Sequence, residues 1–229
     1  MYFDWTYLVF VIPALIISAI ASMRVNSAYN KYSRVSLRNG YKGSEIARKM
    51  LDMNGLYDVR VEKTNGHLSD HYDPRGKVIR LSEAVYEGNN TAAAGVAAHE
   101  AGHAVQHANG YFPLQIRNFI IPLTNIGSRL SFPLILLGIL FSNSYLYFLA
   151  YVGIALFGLT IVFQLITLPV EFNASHRALE TLRGGLIAED EIKGTKRVLS
   201  AAAMTYVAAL IVAVMQMLRL LTLVSRRRR

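Results

Sequence analysis

The sequence predicts a mainly α-helical membrane protein with a small α+β subdomain, and three observations predict it. The chain has 229 residues, 53% of them hydrophobic, and the hydrophobic residues are concentrated in long uninterrupted stretches. The first polar segment between these stretches contains alternating patterns typical of β-strands between two helical patterns. Residues 99–103 read His-Glu-Ala-Gly-His within a run of helix-forming residues.

Four apolar stretches are long enough for membrane helices, which need about 17–25 residues. Residues 5–23 carry no charge, and basic residues follow rather than precede them, which favours an uncleaved anchor over a signal peptide. Residues 119–141 are interrupted by Pro122, Arg129 and Pro133, which indicates a kinked span or an interfacial helix followed by a short span. Residues 145–168 form an uncharged span, and residues 199–218 form the last apolar stretch. We therefore expect about four transmembrane or membrane-embedded helices.

The positive charge predicts the topology. The net charge is +9, and Lys and Arg are concentrated in residues 25–117, residues 169–200 and the C-terminal tail. The first two segments are joined by a hydrophobic hairpin, so the positive-inside rule places both on the cytoplasmic side of the cell membrane. Counting spans puts the basic tail outside, which that rule disfavours, so the orientation of the last helix stays open. The tail suits anionic lipid, and no module for nucleic-acid binding is recognisable.

The domain organisation follows from these boundaries. We expect an N-terminal anchor at 1–24, a polar α+β segment at 25–118, a transmembrane hairpin at 119–168, a second polar segment at 169–200, and a C-terminal membrane helix with a basic tail at 201–229.

The polar α+β segment contains two predicted strands between two predicted helices. An amphipathic helix is expected at residues 44–54 and strands at 56–63 and 77–81, with a hairpin signal at Asn65-Gly66 and a turn at Tyr72–Gly76. Asn90 or Thr91 is expected to cap the next helix. The strand before that helix is either an ordinary sheet strand or one whose edge adds a substrate strand.

The His-Glu-x-x-His pattern predicts a metal site. His99 and His103 lie one helical turn apart and can direct one nitrogen each at a single ion. Glu100 is rotated by about 100° and can reach a water on that ion. This pattern suits zinc and its use as a hydrolytic catalyst. The alternative is a helix with two buried, hydrogen-bonded histidines. Gly102 costs helix propensity and so predicts close approach of another segment.

A closed site needs a third ligand on the same membrane side, and Glu171 is the best candidate. It opens the second polar segment, and Pro169 predicts that it lies near a helix N-terminus. The competing interpretation is an acid stabilised there by the helix dipole. Glu180 and His107 are other candidates, although three histidines along one straight helix rarely converge on one ion.

Other polar side chains have weaker interpretations. His176 or Arg177 could stabilise the oxyanion of a hydrolytic reaction. His67 and His71 flank a loop that is more simply a solvated turn than a second metal site. The chain contains no cysteine, which excludes a thiol nucleophile, a disulfide or a cysteine-ligated metal.

These motifs resemble a known family. His99-Glu100-Ala-Gly-His103, a hydrophobic hairpin and then Glu171-Phe-Asn-Ala resemble the membrane-bound neutral zinc metallopeptidases of the YugP type, which are motif-level relatives of the HtpX and CAAX-prenyl-protease metallopeptidases. The stretch from His67 to Arg75 is also similar to the YugP pattern. The resemblance implies a zincin-like, gluzincin-like peptidase with ligands His99, His103 and Glu171 and general base Glu100. One departure is Ser175, which stands where the HtpX-type pattern has an Asp.

The sequence thus predicts a membrane-anchored zinc endopeptidase that cleaves protein or peptide substrates, membrane proteins among them. A divalent-metal transporter and an inactive membrane scaffold or chaperone are the alternatives. The sequence indicates neither the natural substrate nor the oligomeric state.

Overall fold

The computed structural model describes residues 5–66, 69–141 and 145–227 and is mainly helical, as predicted. The helices of more than one turn are α1 (Ile12–Tyr32), α2 (Gly43–Met53), α4 (Thr91–Ala108), α5 (Phe112–Leu140), α6 (Phe148–Thr181) and α7 (Glu189–Arg227), and a short helix α3 spans Glu83–Tyr86. The strands are β1 (Arg60–Thr64), β2 (His71–Asp73) and β3 (Val78–Ser82). The chain divides into two compact units.

The first unit, here called the helical unit, comprises Met1–Ser22, Ile116–Leu168 and Thr205–Arg229. Its core contains Ile135, Ile154, Phe157, Leu220 and Val224. Four helices of the described chain are long and apolar enough to cross a membrane: Tyr7–Tyr32, Phe112–Leu140, Tyr145–Leu186 and Glu189–Arg226. Less than a third of each apolar window is buried within the protein. Such extensive exposed apolar surface is typical of helices that face lipid.

Three prolines lie inside these long helices. Helix α5 continues through Pro122 and Pro133, and α6 continues through Pro169. The expectation that Pro169 opens a helix is therefore wrong, and Glu171 lies in a helix interior. A proline removes one backbone hydrogen bond, and in the apolar stretch around Pro122 and Pro133 a surrounding lipid offers no water to compete for the others, so such a helix tolerates it.

The second unit, here called the mixed unit, comprises Met23–Gln115 and Pro169–Met204. It contains a three-stranded sheet in the order β1-β3-β2, which confirms the predicted small α+β subdomain. Strand β1 pairs with β3 in parallel, with Arg60 opposite Val78, and β2 pairs with β3 antiparallel, with His71 opposite Arg80.

This topology corrects two expectations. The hairpin predicted at Asn65-Gly66 is wrong, because β1 and β3 are parallel and the antiparallel pair is formed by β2 and β3. Strand β3 has neighbours on both sides, so the strand that precedes α4 has no free edge for a substrate strand. The local turn signal was present at residues 65–66, but it could not show which strands pair.

Helix α4 lies in the core of the mixed unit. Asn90 caps it as predicted, since its side chain accepts a hydrogen bond from the Ala93 backbone N–H at 2.9 Å. Its small apolar side chains are buried against α2, the sheet and α6, and the core they form includes Ile46, Met50 and Leu81. The small alanine side chains therefore allow neighbouring elements to pack closely around α4.

Gly102 marks the closest approach of α4 to another helix. A Cβ atom at this position would lie 2.6 Å from the backbone oxygen of Ala174 on α6 and 3.3 Å from its Cα. Backbone atoms cannot move aside as a flexible side chain can, so only glycine fits at this contact. This explains why a residue that weakens helices stands between the two histidines.

We expect Gly102→Ala to lower the melting temperature of the detergent-solubilised protein by about 2–12 °C. Overpacking at this contact costs about 1–3 kcal/mol. For a chain of this size, each kcal/mol of lost stability lowers the melting temperature by about 2–4 °C. The matched control is Gly184→Ala, where the nearest atom to an added Cβ is the flexible Met53 Cε at 3.8 Å. Equal melting temperatures for the two variants would contradict the tight contact.

Candidate metal centre

Three predicted ligands meet in the mixed unit. Helix α4 presents His99 and His103, and α6 presents Glu171. One donor atom from each of the three lies within 4.8 Å of the other two. The Glu171 Oε2 atom is 3.2 Å from His99 Nε2 and 3.6 Å from His103 Nε2. Two segments that are distant in sequence thus form one cluster.

The carboxylate of this cluster is buried. Glu171 is only 2% exposed, and both imidazoles are largely covered. A buried carboxylate is costly unless positive charge or hydrogen-bond donors compensate it. Since Glu171 lies in the interior of α6, the helix dipole at an N-terminus does not explain its position. The two imidazoles lie close enough to contribute to that compensation, as would a cation that they hold.

The donor set fits a zinc ion. Zinc binds imidazole nitrogen and carboxylate oxygen, and ligand atoms at about 2.0–2.1 Å from a tetrahedral ion lie about 3.4 Å apart. The distances of 3.2 and 3.6 Å between Glu171 Oε2 and the two Nε2 atoms bracket that value. Two neutral ligands and one anionic ligand also leave a net positive site when the ion is bound, so the ion can act as a Lewis acid.

The electrostatic field at His103 also favours a cation. Burial by itself would lower the pKa of His103, but the nearby carboxylate of Glu171 and the negative charge of Glu100 outweigh burial, so the pKa is raised. The same negative field that retains a proton on this ring would stabilise a metal ion in the proton's place.

Both histidines have a partner for the nitrogen that faces away from Glu171. The Ser175 hydroxyl lies 3.1 Å from His99 Nδ1, and Gln106 Oε1 lies 3.0 Å from His103 Nδ1. Such outer hydrogen bonds hold a ligand imidazole in its orientation. Ser175 therefore keeps a hydrogen bond at the position where the HtpX-type pattern has an Asp, but it brings no charge.

Glu100 lies beside this cluster without belonging to it. It is 9% exposed, and its charge acts on His103. Among the described residues it has no hydrogen-bond or ion-pair partner. A shielded carboxylate that is not committed to another group is suited to accept a proton.

The other candidate ligands lie elsewhere. Glu180 pairs with His176 at 3.2 Å, and both side chains are more than 60% exposed. His107 contacts the Tyr72 hydroxyl through Nδ1 at 3.0 Å. Within the described ranges, His99, His103 and Glu171 are the one group of such residues close enough together to hold a metal ion.

The two oxyanion candidates differ in their surroundings. Arg177 donates from Nε to Asn173 Oδ1 at 2.8 Å and so joins the hydrogen bonds around the cluster, whereas His176 is directed at solvent and Glu180. At the start of β2, Asp70 accepts hydrogen bonds from Ser82, and His71 contacts the Ser69 carbonyl. His67 lies outside the described residues.

Sequence reasoning missed Gln106 and Asn173. Gln106 is fully buried, and its amide nitrogen donates to the Val170 carbonyl at 2.8 Å and to Asn173 Oδ1 at 3.0 Å. Its position three residues after His103 is a signal that was available, because residues three apart share a helix face. A lone amide among alanines and valines on that face had to bind something buried.

Comparisons with known proteins agree with this geometry. The family described as "putative neutral zinc metallopeptidase" matches residues 7–225. A relative from Bacillus subtilis (strain 168), named "Putative membrane protease YugP", is 48% identical over 209 residues, which cover 91% of this chain and 92% of the relative. No solved structure matches the chain significantly.

We expect Glu171→Gln to weaken zinc binding by more than about a hundredfold, since loss of an outer hydrogen-bond partner alone costs about 10–100-fold. The variant keeps the shape of the side chain but removes its charge. Zinc affinity is measured by competition with a chromogenic chelator. His176→Gln, an exposed change on the same helix, should bind zinc as the wild type does. Equal affinity of Glu171→Gln and wild type would show that residue 171 is not a ligand.

Proposed function

The chain belongs to the family of the putative neutral zinc metallopeptidases, and from this membership and the site geometry we propose that it is a membrane-anchored zinc endopeptidase. In this proposal His99, His103 and Glu171 hold the ion and Glu100 is the general base. The observation that carries it is the convergence of two imidazole nitrogens and one buried carboxylate oxygen within 4.8 Å.

In the proposed peptide hydrolysis, the zinc ion would supply Lewis acidity and Glu100 would transfer the proton. A zinc ion bound here would supply Lewis acidity, which lowers the pKa of a coordinated water to about 7 and polarises a substrate carbonyl. Glu100 accepts the proton of the attacking water as its oxygen bonds to the peptide carbon. The same carboxyl group then gives that proton to the peptide nitrogen as the C–N bond breaks. Water is consumed, and one carboxyl and one amino terminus are formed.

The protein around the cluster supports these roles. The outer hydrogen bonds that the two rings form with Ser175 and Gln106 fix their orientation, so that the ligands need little reorganisation when the ion binds. Arg177 joins the hydrogen bonds around the cluster through Asn173, and on that ground we assign oxyanion stabilisation to Arg177 rather than to His176 in this proposal.

The structure gives little support to metal transport. A transport path needs a series of ligands along the apolar helices, and polar groups inside spans mark such paths. The described chain contains one group able to hold a metal, and its three members all belong to the mixed unit. An inactive scaffold would not require a buried carboxylate beside two imidazoles.

We further propose that the mixed unit lies on the cytoplasmic side and acts on unfolded or membrane-inserted protein segments. Both of its chain segments are rich in Lys and Arg, as cytoplasmic segments are. Glu171 follows the apolar residues 145–168 by three positions, so the ligand helix continues directly from a membrane-spanning stretch.

We expect Glu100→Gln to lower the turnover of a fluorescently labelled unfolded protein by about 10²–10⁴-fold, the usual contribution of a general base. Zinc content should stay at the wild-type level, because residue 100 is not a ligand. Glu180→Gln, which changes an exposed carboxylate, is the control and should be fully active. A zinc-loaded Glu100→Gln protein with wild-type turnover would refute the assigned base.

Sidedness can be tested with single cysteines, because the chain has none of its own. We expect Tyr57→Cys, an exposed site in the mixed unit, to react with a membrane-impermeant maleimide only after right-side-out vesicles are opened. Tyr145→Cys, an exposed site between α5 and α6, should react in sealed vesicles. The reverse pattern would place the mixed unit outside.

A further inference from the structure

Gln106 is neither a proposed metal ligand nor the proposed base, but its side chain contacts the surroundings of both ligand helices. It is fully buried on α4, one turn beyond His103. All three hydrogen bonds of its amide go to groups at the cluster: His103 Nδ1, the Val170 carbonyl and Asn173 Oδ1. The last two groups lie on α6, on either side of Glu171 in sequence. The amide therefore touches the surroundings of ligands on both helices.

The orientation of this amide is determined by its partners. The Val170 backbone carbonyl can only accept, so the Gln106 nitrogen must face it. The Asn173 oxygen accepts from Gln106 Nε2 and also from Arg177 Nε, which fixes the Asn173 amide in turn. Both hydrogens of the Gln106 amide are thus committed. Its oxygen, which can only accept, is left facing His103 Nδ1 at 3.0 Å.

An obligatory acceptor at Nδ1 selects one form of the His103 ring. A neutral imidazole carries a single N–H, and the hydrogen bond at one nitrogen decides whether the other has a free lone pair. With the hydrogen held at Nδ1 by Gln106, the lone pair is on Nε2, the nitrogen 3.6 Å from Glu171 Oε2. That is the form in which Nε2 can bind a metal beside Glu171.

The partner of His99 does not impose the same choice. The Ser175 hydroxyl, 3.1 Å from His99 Nδ1, can donate or accept. His99 Nε2 lies 3.2 Å from Glu171 Oε2, closer than His103 Nε2 at 3.6 Å. His99 can therefore carry its hydrogen on Nε2 and donate it to Glu171 until a metal displaces it. The tautomer of His103 is thus determined by the Gln106 amide, whereas the Ser175 hydroxyl leaves both tautomers of His99 available.

We propose that Gln106 is a positioning residue that selects the metal-binding tautomer of His103 and links α4 by hydrogen bonds to the Glu171 segment of α6. This inference rests on the proposed function, because it assigns Gln106 a part in holding the catalytic metal. It gives a physical reason for an amide, rather than a hydroxyl or a hydrocarbon, at position 106. An amide alone offers one obligatory acceptor and two donors in a single plane.

The test compares Gln106→Met, which keeps the length of the side chain and removes all three hydrogen bonds, with Thr195→Val. Thr195 is also fully buried and donates to the backbone oxygen of Thr91 on α4, so its loss weakens helix packing in the same unit without touching the cluster. Zinc affinity is measured by chelator competition on the full-length protein in detergent. We expect affinity to fall by about 10–100-fold in Gln106→Met and by less than about threefold in Thr195→Val.

A second readout reports the tautomer directly. Nitrogen-15 spectra of histidine-labelled, zinc-free protein at alkaline pH, with the His103 signal identified by a His103→Gln variant, should show the proton on Nδ1 in the wild type. In Gln106→Met the proton should move to Nε2, where Glu171 can accept it. A merely structural role for Gln106 would not move this signal.

The outcomes separate this inference from the function it rests on. Wild-type zinc affinity in Gln106→Met, an equal loss in Thr195→Val, or a wild-type His103 without a proton on Nδ1 would each overturn the role of Gln106. The zinc endopeptidase would survive all three results. A wild-type protein that holds no stoichiometric zinc would refute the proposed function itself and this inference with it.

Discussion

The site depends on one backbone contact, between Gly102 on α4 and Ala174 on α6. A Cβ at Gly102 would lie 2.6 Å from the Ala174 oxygen, so the two helices are as close as their backbones allow. Ligands stand on both sides of this contact, with His99 and His103 on one helix and Glu171 on the other. This close approach accompanies donor-atom distances of 3.2 and 3.6 Å between the two helices, which match the spacing of ligands on one ion.

The buried carboxylate of Glu171 makes the cluster unfavourable without positive charge nearby. A carboxylate that is 2% exposed is stable only beside compensating charge, and the two imidazoles supply this as proton carriers or metal ligands. The hydrogen bonds of His99 with Ser175 and of His103 with Gln106 then limit the rotation of the two imidazole rings. Burial, charge and orientation together favour a bound cation, and the uncommitted carboxylate of Glu100 lies next to it.

Much of this could be predicted from the sequence, for physical reasons. The spacing of His99 and His103 follows from the helical repeat, Gly102 predicted a close neighbour, and apolar length predicted the membrane helices. Three features could not be predicted. The pairing of β1 with β3 depends on contacts that are distant in sequence, and the role of Gln106 depends on acceptors that lie on another helix. The continuity of α6 through Pro169 is the third, because a proline is as compatible with the first turn of a helix as with this interior position.

The central claim is that two imidazoles and one carboxylate hold a single catalytic zinc. X-ray absorption spectroscopy at the zinc edge of the purified, full-length protein tests it most directly, because imidazole rings produce a countable outer-shell signal. The account predicts two imidazoles and additional oxygen ligands, all at about 2.0–2.1 Å. A signal from three imidazoles, from one, or from none would contradict it.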